Sequence, residues 1–449
     1  MTGGSGETAT IAANISEQQS RFEIPRLVKR NTALLALSQA FVGAGMQMAP
    51  ALGAIAVLQL TGSPALAGVG TAMIALSRLL VAYPTGKISD AHGRKPVLLL
   101  GLIFGMTGAV LTGLAIVWGS FALLVAAFLI FGLGMGGAQQ IRVAAADMYP
   151  PARRGMGMGF VLSGSLVGVL IAPLIISLAQ VLSPRLGIDP LGLPWLFVPA
   201  LTIPAMFLVF AVRPDPQEIA LNLDKHYAGY RSLAKPAPGP QPRVTVGTLV
   251  RHYPRMAAIV ASLAVQGNMS MMMFLTSLVL HDHGHGLAAI SLSVSVHVVG
   301  MFGFSVPLGW LADRLGRRAV LLVGVVIAGA GSLLVPTSQL YWVITAGTFL
   351  VGLGWSAVYV AATAVIADTT SPEERGRAIG VNDTFSYIPA VFLPMVAGPL
   401  AAIVGFPAVG VAGMGLMVLP FLLLMVLHEP RPGKYLWGAR RQTSERADS

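Results

Sequence analysis

The pattern of Gly86-Lys-Ile-Ser-Asp90-Ala-His-Gly93-Arg94-Lys95 occurs twice in the chain. The second copy is Gly309-Trp-Leu-Ala-Asp313-Arg-Leu-Gly316-Arg317-Arg318, which lies 223 positions later. Each copy follows one long apolar run and precedes another. Two glycines, an acidic residue and a basic pair at fixed spacing indicate a structured turn between helices. Their recurrence predicts two homologous halves.

Other features repeat at nearly the same spacing. Gly132-Leu-Gly134 matches Gly352-Leu-Gly354 at an offset of 220, and Asp147 matches Asp368 at an offset of 221. Gly155 and Gly376 are also 221 positions apart. Two halves of this kind are typical of transporters that rock one half against the other.

The composition indicates a membrane protein. Of the 449 residues, 55% are hydrophobic and 10% are charged, whereas soluble domains carry about 25% charged residues. The absence of cysteine excludes disulfides and thiolate metal sites. The net charge of +11 lies in short clusters between apolar runs rather than in one basic stripe, which argues against a nucleic-acid partner.

A helix needs about 20 mostly apolar residues to cross a bilayer. Twelve runs meet this requirement, at 32–59, 64–85, 96–116, 119–147, 156–182, 194–212, 256–280, 288–309, 319–337, 340–368, 377–402 and 406–428. We therefore predict an all-α membrane protein with six-helix bundles at 32–212 and 256–428. The predicted remainder is an N-terminal tail at 1–31, a linker at 213–255 with a proline-rich stretch at 235–242, and a C-terminal tail at 429–449. Residues 1–30 are polar, so no signal peptide is predicted.

Charge placement predicts the orientation. If the N-terminus is cytoplasmic, 26 of the 29 Lys and Arg residues fall on the cytoplasmic side. Arg185 lies outside, and Arg78 and Arg142 fall within spans. Because positive residues are retained in the cytoplasm, both termini are predicted to be cytoplasmic.

The repeated turn resembles the signature loop of the major facilitator superfamily, and the resemblance extends over about residues 32–428. It implies alternating access around a cavity lined mainly by spans 1, 4, 7 and 10, in a monomer of a bacterial plasma membrane. It also implies a gate in which Asp90 binds the start of span 11 and Arg94 pairs with Asp147 only when the cytoplasmic side is closed. The implied gate residues are Gly86, Asp90, Gly93, Arg94, Asp147 and their counterparts Gly309, Asp313, Gly316, Arg317 and Asp368.

Span 5 resembles the pattern associated with exporters of this family. Gly159, Gly168 and Ala172-Pro173 keep its spacing, but its last two glycines are replaced by Ile176 and Ser177. The pattern favours export, while small residues and proline are also common in membrane helices generally. Phe128 stands where drug–proton antiporters of the family often carry an arginine in span 4, so that arginine's proton-transfer role is not assigned here.

Two charges inside the membrane are expected to have partners, because an unpaired ionisable group there costs roughly 2.5–3.5 kcal/mol. Arg78 in span 2 and Asp383 in span 11 both lie about 10–12 Å from the cytoplasmic ends of their spans. Because the resemblance places these spans face to face, we predict an Arg78–Asp383 ion pair between the halves. Separate hydration of each charge is the alternative.

Polar and aromatic residues on the cavity spans are candidates for substrate contact. Arg142 is predicted either to bind an anionic group of a substrate or to join a network with Asp147 and Asp383. Other candidates are Gln39, Gln47, Gln139, Gln266, Asn268, Trp355 and Tyr359. Each polar side chain has the alternative role of bonding neighbouring helices.

His297, in the middle of span 8, is a second candidate for proton coupling, because histidine titrates near neutral pH. A neutral, packed histidine bonded to span 5 is the other interpretation. The segment His281-Asp282-His283-Gly284-His285 and the preceding methionines suggest a metal site, but a solvated loop is the favoured interpretation, so no metal is predicted.

The sequence thus predicts a secondary active exporter of small amphipathic molecules, driven by proton antiport. An uptake permease and a transporter-like sensor are the alternatives. No nucleotide-binding loop or hydrolase motif is found in the sequence, so neither an enzyme nor a cofactor is expected.

Overall fold

A computed structural model describes residues 23–150, 153–227, 246–370 and 375–427. All regular elements in these ranges are helical. They are α1 (Arg26–Met46), α2 (Met48–Thr61), a 3₁₀ turn (Pro64–Leu66), α3 (Val69–His92), α4 (Arg94–Val117), α5 (Phe121–Ala138), α6 (Gln140–Asp147), α7 (Arg154–Leu186), α8 (Leu193–Leu196), α9 (Val198–Ala211), α10 (Pro216–Leu221), α11 (Leu223–His226), α12 (Val246–Val250), α13 (Tyr253–Asp282), α14 (Leu287–Phe302), α15 (Ser305–Leu315), α16 (Arg317–Thr337), α17 (Tyr341–Thr369), α18 (Arg375–Ile403), α19 (Phe406–Leu416) and α20 (Val418–Val426).

Twelve helical segments of the described chain are long and apolar enough to cross a membrane. They agree with the twelve predicted spans and confirm an integral, multi-pass, all-α membrane protein. Span 1 begins at Arg26, six residues before the predicted start, because α1 continues through a polar turn that contains Lys29 and Arg30. Since twelve spans return the chain to its starting side, residues 26 and 426 lie at the same face. We call this face the terminal side and the opposite face the distal side.

The first part of the predicted linker packs against the N-terminal half. This part contains α10 (Pro216–Leu221) and α11 (Leu223–His226), and Ile219 and Leu223 join a buried cluster with Val28 of span 1. The Tyr227 hydroxyl donates a hydrogen bond to the Met148 carbonyl (2.9 Å). The proline-rich stretch at 235–242 lies outside the described residues.

Glycines allow helices within each half to approach closely. A Cβ placed on Gly134 would lie 2.1 Å from the Gly105 backbone nitrogen, which joins spans 3 and 4. In the second half, a Cβ on Gly354 would lie 2.6 Å from the backbone of span 9 at Ala328. Small residues at such positions permit backbone contact between membrane helices.

The two halves repeat this packing. A Cβ on Gly132 would lie 2.7 Å from the Ile74 carbonyl oxygen, and one on Gly352 would lie 2.3 Å from that of His297. Ile74 and His297 are 223 positions apart, the same offset as the repeated turns. The sequence repeat is therefore a repeat of three-dimensional contacts.

The halves meet on the distal side. A buried apolar cluster there draws Leu52 and Ile55 from span 1 and Phe274 and Leu278 from span 7. The Ser277 hydroxyl of span 7 donates a hydrogen bond to the Pro50 carbonyl of span 1 (2.7 Å). These contacts close the distal side.

Toward the terminal side the apolar core divides in two. One cluster is built from the N-terminal half, including Tyr149, and the other from the C-terminal half, including Leu249. Added Cβ atoms on Gly86 of span 2 and Gly380 of span 11 would have no neighbour within 4 Å among the described residues. The described structure is thus closed on the distal side and opens toward the terminal side.

Candidate substrate cavity and conformational gate

The two repeated turns have the same backbone geometry. Gly93 has φ = 96° and Gly316 has φ = 98°, values that residues with a Cβ rarely adopt. Each of these glycines ends one helix and begins the next. The glycines of the signature are therefore required by the turn itself.

Each turn holds an ion pair within its own half. Arg94 Nε lies 2.7 Å from Asp147 Oδ2, and Arg94 Nη1 donates a hydrogen bond to Ser89 Oγ (2.7 Å). These partners tie the turn to the end of span 4.

The second half repeats the arrangement at residues offset by 221 or 223 positions. Arg317 Nε lies 3.3 Å from Asp368 Oδ2, and Arg317 Nη1 donates to the Ala312 carbonyl (2.6 Å). Both ion pairs are present although the terminal side is open. The expectation that such pairs form only when that side closes is therefore wrong, because each pair joins spans of a single half.

The remaining gate residues differ in what the structure describes. Gly86 and Gly309 lie on the terminal-side portions of spans 2 and 8. Among the described residues, a Cβ on Gly86 would have no neighbour within 4 Å, and one on Gly309 would lie 3.8 Å from the Val360 side chain. The side chains of Asp90 and Asp313 fall outside the described residues. The contact between Asp90 and the start of span 11 stays a prediction.

A polar cluster involves both halves on the terminal-side portions of spans 4 and 11. The Arg142 guanidinium, on span 4, donates a hydrogen bond to Gln139 Oε1. It lies within electrostatic reach of Asp383 on span 11 and Tyr359 on span 10. The Tyr359 hydroxyl donates to Asp383 Oδ2 (3.4 Å). Arg142 was predicted either to bind an anionic group of a substrate or to join a network with Asp147 and Asp383. Its position near Asp383 agrees with the second role.

An aromatic wall adjoins this cluster in the C-terminal half. The rings of Trp355 and Tyr359 stack with centroids 4.9 Å apart and an interplanar angle of 7°. Trp355 Nε1 donates a hydrogen bond to Gln266 Oε1 (2.8 Å), which joins span 10 to span 7. Phe302 contacts the edge of Trp355. Flat apolar surface and hydrogen-bonding groups therefore lie side by side.

The predicted Arg78–Asp383 ion pair is absent from the described structure. Arg78 Nη2 instead donates to the Tyr387 hydroxyl (2.9 Å), and the guanidinium lies 4.8 Å from that ring's centroid. Tyr387 lies one helical turn beyond Asp383 on span 11. The contact between spans 2 and 11 is therefore made, but the partner residue was predicted wrongly.

His297 is buried and is bonded to span 10 rather than to span 5. Its Nδ1 lies 2.7 Å from the Thr348 carbonyl oxygen, so Nδ1 carries the proton and donates. Span 5 is contacted by Ser295, which donates to the Val169 carbonyl (2.7 Å). These contacts agree with the interpretation of His297 as a packed histidine, but the helix to which it is bonded was predicted wrongly.

Three predicted cavity residues lie inside the bundles. Asn268 is fully buried and accepts a hydrogen bond from Ser332 on span 9. Gln39 donates to Ser165 Oγ on span 5 (2.8 Å), and Gln47 is 4% exposed at the junction of α1 and α2. The assignments of Asn268 and Gln39 to the cavity wall are corrected, because each is bonded to a neighbouring helix of its own half.

Span 5 packs through its small residues. A Cβ on Gly168 would lie 2.0 Å from the Ala40 carbonyl oxygen of span 1, whereas one on Gly159 would meet nothing within 4 Å. Helix α7 continues through Pro173 without a break. Phe128 is buried and packs against Trp195, with ring centroids 6.0 Å apart.

The histidine segment offers no cluster of metal ligands. Helix α13 extends to Asp282, and His285 stacks on the edge of Tyr341 with centroids 5.2 Å apart. Within the described ranges, no group of three or more His, Asp and Glu side chains could hold a metal ion.

Sequence reasoning missed Asp215 and Tyr387. The Asp215 carboxylate accepts hydrogen bonds from the backbone nitrogens of Arg94 and Lys95 (3.0 Å each) and of Gln217 (2.8 Å). Asp215 therefore caps the N-terminus of α4, which is span 3, as well as that of its own helix α10. The Asp-Pro pair at 215–216 is a helix-start signal, but nothing in it points to α4. Tyr387 gave no signal, because a lone tyrosine in a membrane span is unremarkable by sequence.

A sequence profile of the Major Facilitator Superfamily matches residues 35–286 and 257–446, which together cover most of the chain. The chain belongs to this superfamily. It is similar to YdeG, an uncharacterised MFS-type transporter of Bacillus subtilis, with 26% identity over 427 residues (93% of this chain and 96% of YdeG). It is also similar to the riboflavin transporter RfnT of Brucella anthropi, with 22% identity over 405 residues (90% of this chain and 97% of RfnT).

A shorter match relates this superfamily member to the multidrug resistance protein MdtL of Klebsiella pneumoniae. The two are 30% identical over 139 residues, which are 30% of this chain and 35% of MdtL. The crystal structure of the human organic anion transporter MFSD10 shares the fold, with a TM-score of 0.58 and 19% identity over 89% of this chain and 99% of MFSD10. The protein is therefore a membrane transporter that acts on small molecules, and it is not an enzyme.

Proposed function

We propose that the protein exports small amphipathic molecules by proton antiport, as a monomer in the plasma membrane with both termini in the cytoplasm. In this orientation the terminal side is the cytoplasmic side, so the described structure is open to the cytoplasm and ready to receive a substrate. Residues 32–212 and 256–428 are the two moving bodies, and the signature turns stiffen each of them.

The observation that carries this proposal is the Asp383 carboxylate of span 11, which accepts a hydrogen bond from Tyr359 of span 10 (3.4 Å) and feels the positive charge of Arg142 on span 4. Because opposite charges attract strongly where water is scarce, we expect ionised Asp383 to favour the approach of the two halves at this level. Protonation removes that attraction and weakens the Tyr359 hydrogen bond, because a neutral carboxyl group is a poorer acceptor than a carboxylate. Gain and loss of one proton therefore alter the free-energy difference between the two conformations, which is what coupling requires.

Other titratable or charged groups surround this carboxylate. Tyr359 approaches it from span 10, and Tyr387, bonded to Arg78 of span 2, lies one turn along span 11. Asp383 is accordingly the group we assign to proton exchange.

The cavity wall supports an amphipathic substrate. The ring of Tyr359, stacked on the buried ring of Trp355, offers a flat apolar surface, and Gln139, Gln266 and Arg142 offer hydrogen bonds beside it. Binding sites of transported or bound small molecules combine such apolar walls with a few polar groups. The match to a multidrug resistance protein and the glycine pattern of span 5 support export.

An uptake permease is the second candidate. The similarity to a riboflavin transporter along nearly the whole chain supports a single heteroaromatic metabolite as substrate. A transporter-like sensor that binds without translocating is the third candidate. The rocking architecture of two matched halves favours a transporter over a sensor.

Purified protein in liposomes tests the proposal. The vesicle lumen is made acidic relative to the bath, and radiolabelled cationic, anionic, sugar-like and flat heteroaromatic solutes are offered from the bath. Antiport predicts that at least one solute accumulates as protons leave and that a protonophore abolishes accumulation. Counterflow of a solute without any dependence on the pH gradient would overturn antiport, and binding without counterflow would favour the sensor.

A pair of carboxylate variants sharpens the test. Asp383→Asn is expected to abolish accumulation driven by the pH gradient while solute exchange continues, because exchange needs no net proton movement. Asp282→Asn, at an exposed position on the distal side, is the matched control and is expected to behave as the wild type. Unchanged pH-driven accumulation by Asp383→Asn would exclude this residue as the proton carrier.

A further inference from the structure

Three positive side chains surround the terminal-side end of span 6. Lys95 Nζ donates a hydrogen bond to the Phe210 carbonyl (3.1 Å), and Arg30 Nη2 donates to the Ala211 carbonyl (3.3 Å). The Arg213 guanidinium lies 5.6 Å from the centroid of the Phe210 ring, and Lys95 Nζ lies 5.4 Å from the same centroid. We call Arg30, Lys95, Arg213 and Phe210 the basic cap.

The charge of the basic cap is only partly balanced by the protein around it, because the Asp215 carboxylate acts on Lys95. Within the described residues, none of its three cations has a carboxylate within 4 Å. The nearby Asp215 directs both carboxylate oxygens at backbone nitrogens. The end of helix α9 supplies the equivalent of only about half a negative charge. With the Asp215 charge also counted, the basic cap keeps an excess of about one to two positive charges.

An apolar surface continues from the basic cap into the membrane. Ile203, Phe207 and Phe210 follow one face of span 6 at helical spacing, and they are 46%, 70% and 56% exposed. Since the span crosses the bilayer, this face contacts lipid chains. The cations above it stand at the boundary where lipid phosphates lie.

We propose that the basic cap binds the headgroup of an anionic phospholipid, whose chains lie along Ile203, Phe207 and Phe210. The phosphodiester would accept hydrogen bonds from the free donors of Lys95 and from Arg213, whose guanidinium donates none to the described residues. Basic pockets at the membrane surface attract anionic lipids with a strength that grows with each positive charge. Because the cap joins spans 1, 3 and 6, a bound lipid would brace the N-terminal half.

Titration of the purified protein with phosphatidylglycerol tests the proposal, with phosphatidylcholine and inorganic phosphate as separate arms. Bound lipid is counted by native mass spectrometry, and the midpoint of thermal unfolding is recorded in each arm. Phosphatidylglycerol is expected to bind and to raise the midpoint. Equal binding of phosphatidylcholine would overturn the proposal, and equal stabilisation by inorganic phosphate would reduce the cap to a simple anion site.

Charge-removing variants locate the lipid. Each of Lys95→Gln and Arg213→Gln is expected to weaken phosphatidylglycerol binding about 5-fold, and the double variant about 30-fold. Arg314→Gln is the matched control, because Arg314 is also exposed, on the terminal side, and 4.1 Å from the Trp310 ring. It is expected to bind within about 2-fold of the wild type. Unfolding midpoints in phosphatidylcholine verify that each variant is folded, and wild-type lipid binding by the double variant would refute the site.

Discussion

Gly68 of span 2 lies directly against Pro394 of span 11, so that a Cβ at position 68 would sit 1.9 Å from the Pro394 carbonyl oxygen. The neighbouring contact is similar, because a Cβ on Gly398 would lie 2.3 Å from the Ala65 carbonyl oxygen. Both contacts join the two halves on the distal side. Closure of that side therefore depends on glycine at these positions.

Gly68→Ala is expected to favour opening of the distal side. Forcing a methyl group into this contact costs about 1–3 kcal/mol, which shifts the equilibrium toward the distal-open state at least about fivefold. The chain has no cysteine, so a single Leu52→Cys reports opening, since Leu52 is fully buried in the distal cluster. Its labelling rate by a thiol reagent should rise in Gly68→Ala.

Gly286→Ala is the control for that measurement. Gly286 also lies on the distal side, and a Cβ there would meet nothing within 4 Å. Labelling at position 52 should match the wild type in this variant. Equal labelling in Gly68→Ala and Gly286→Ala would show that the glycine contact does not determine closure.

Arg94 and Asp147 are expected to be energetically coupled. Both side chains are largely buried, at 12% and 16% exposed, and Nε and Oδ2 are 2.7 Å apart. A double-mutant cycle with Arg94→Gln and Asp147→Asn should give a coupling of roughly 1–2 kcal/mol in the free energy of unfolding. Arg317 and Asp368, which are more exposed and 3.3 Å apart, should couple more weakly. A larger coupling for the second pair would contradict the geometry.

Arg78 is expected to couple to Tyr387 and not to Asp383. Tyr387→Phe removes the 2.9 Å hydrogen bond but keeps the ring beneath the guanidinium, so its loss of transport should be smaller than that of Tyr387→Ala. Transport losses of Arg78→Ala and Tyr387→Ala should be less than additive, whereas those of Arg78→Ala and Asp383→Asn should add. Additivity for the first pair, measured as initial transport rates, would show that the contact has no role.

Asp215→Ala is expected to destabilise the protein by about 1.5–3 kcal/mol, because three backbone nitrogens lose their acceptor. Asp224→Ala is the control, since Asp224 is exposed in the following short helix. The two variants are compared by thermal unfolding in detergent. A midpoint for Asp215→Ala equal to that of the control would mean that solvent replaces the carboxylate at no cost.

Local patterns predicted much of this fold. The turns at Gly93 and Gly316 follow from glycine requirements and from repetition, which a single sequence displays, whereas the ion pairs Arg94–Asp147 and Arg317–Asp368 were implied by the family resemblance. The long apolar runs fixed the number of spans, since the bilayer sets their length. Sequence periodicity did not show that Asn268 points into its own bundle, because span 7 has apolar residues on every face of the helix.

Contacts between distant segments were beyond this reasoning. Asp215 meets Arg94 across 121 positions, and neither residue's neighbourhood specifies the other. The partner of Arg78 depends on the register of span 11 against span 2. Asp383 and Tyr387 are one helical turn apart, so a shift of one turn exchanges one for the other. That register is set by contacts of whole bundles, among them Gly68 with Pro394.

Alternating access requires the two halves to close in turn on the terminal and distal sides, about the Arg142–Asp383 cluster. Distances between spin labels at acidic and alkaline pH measure this movement, with one pair on the terminal side (Lys87→Cys and Arg314→Cys) and one on the distal side (Leu66→Cys and Val404→Cys). We expect the two distances to change in opposite directions, and Asp383→Asn to remove their dependence on pH. Distances that rise and fall together, or that stay fixed while substrate is transported, would contradict it.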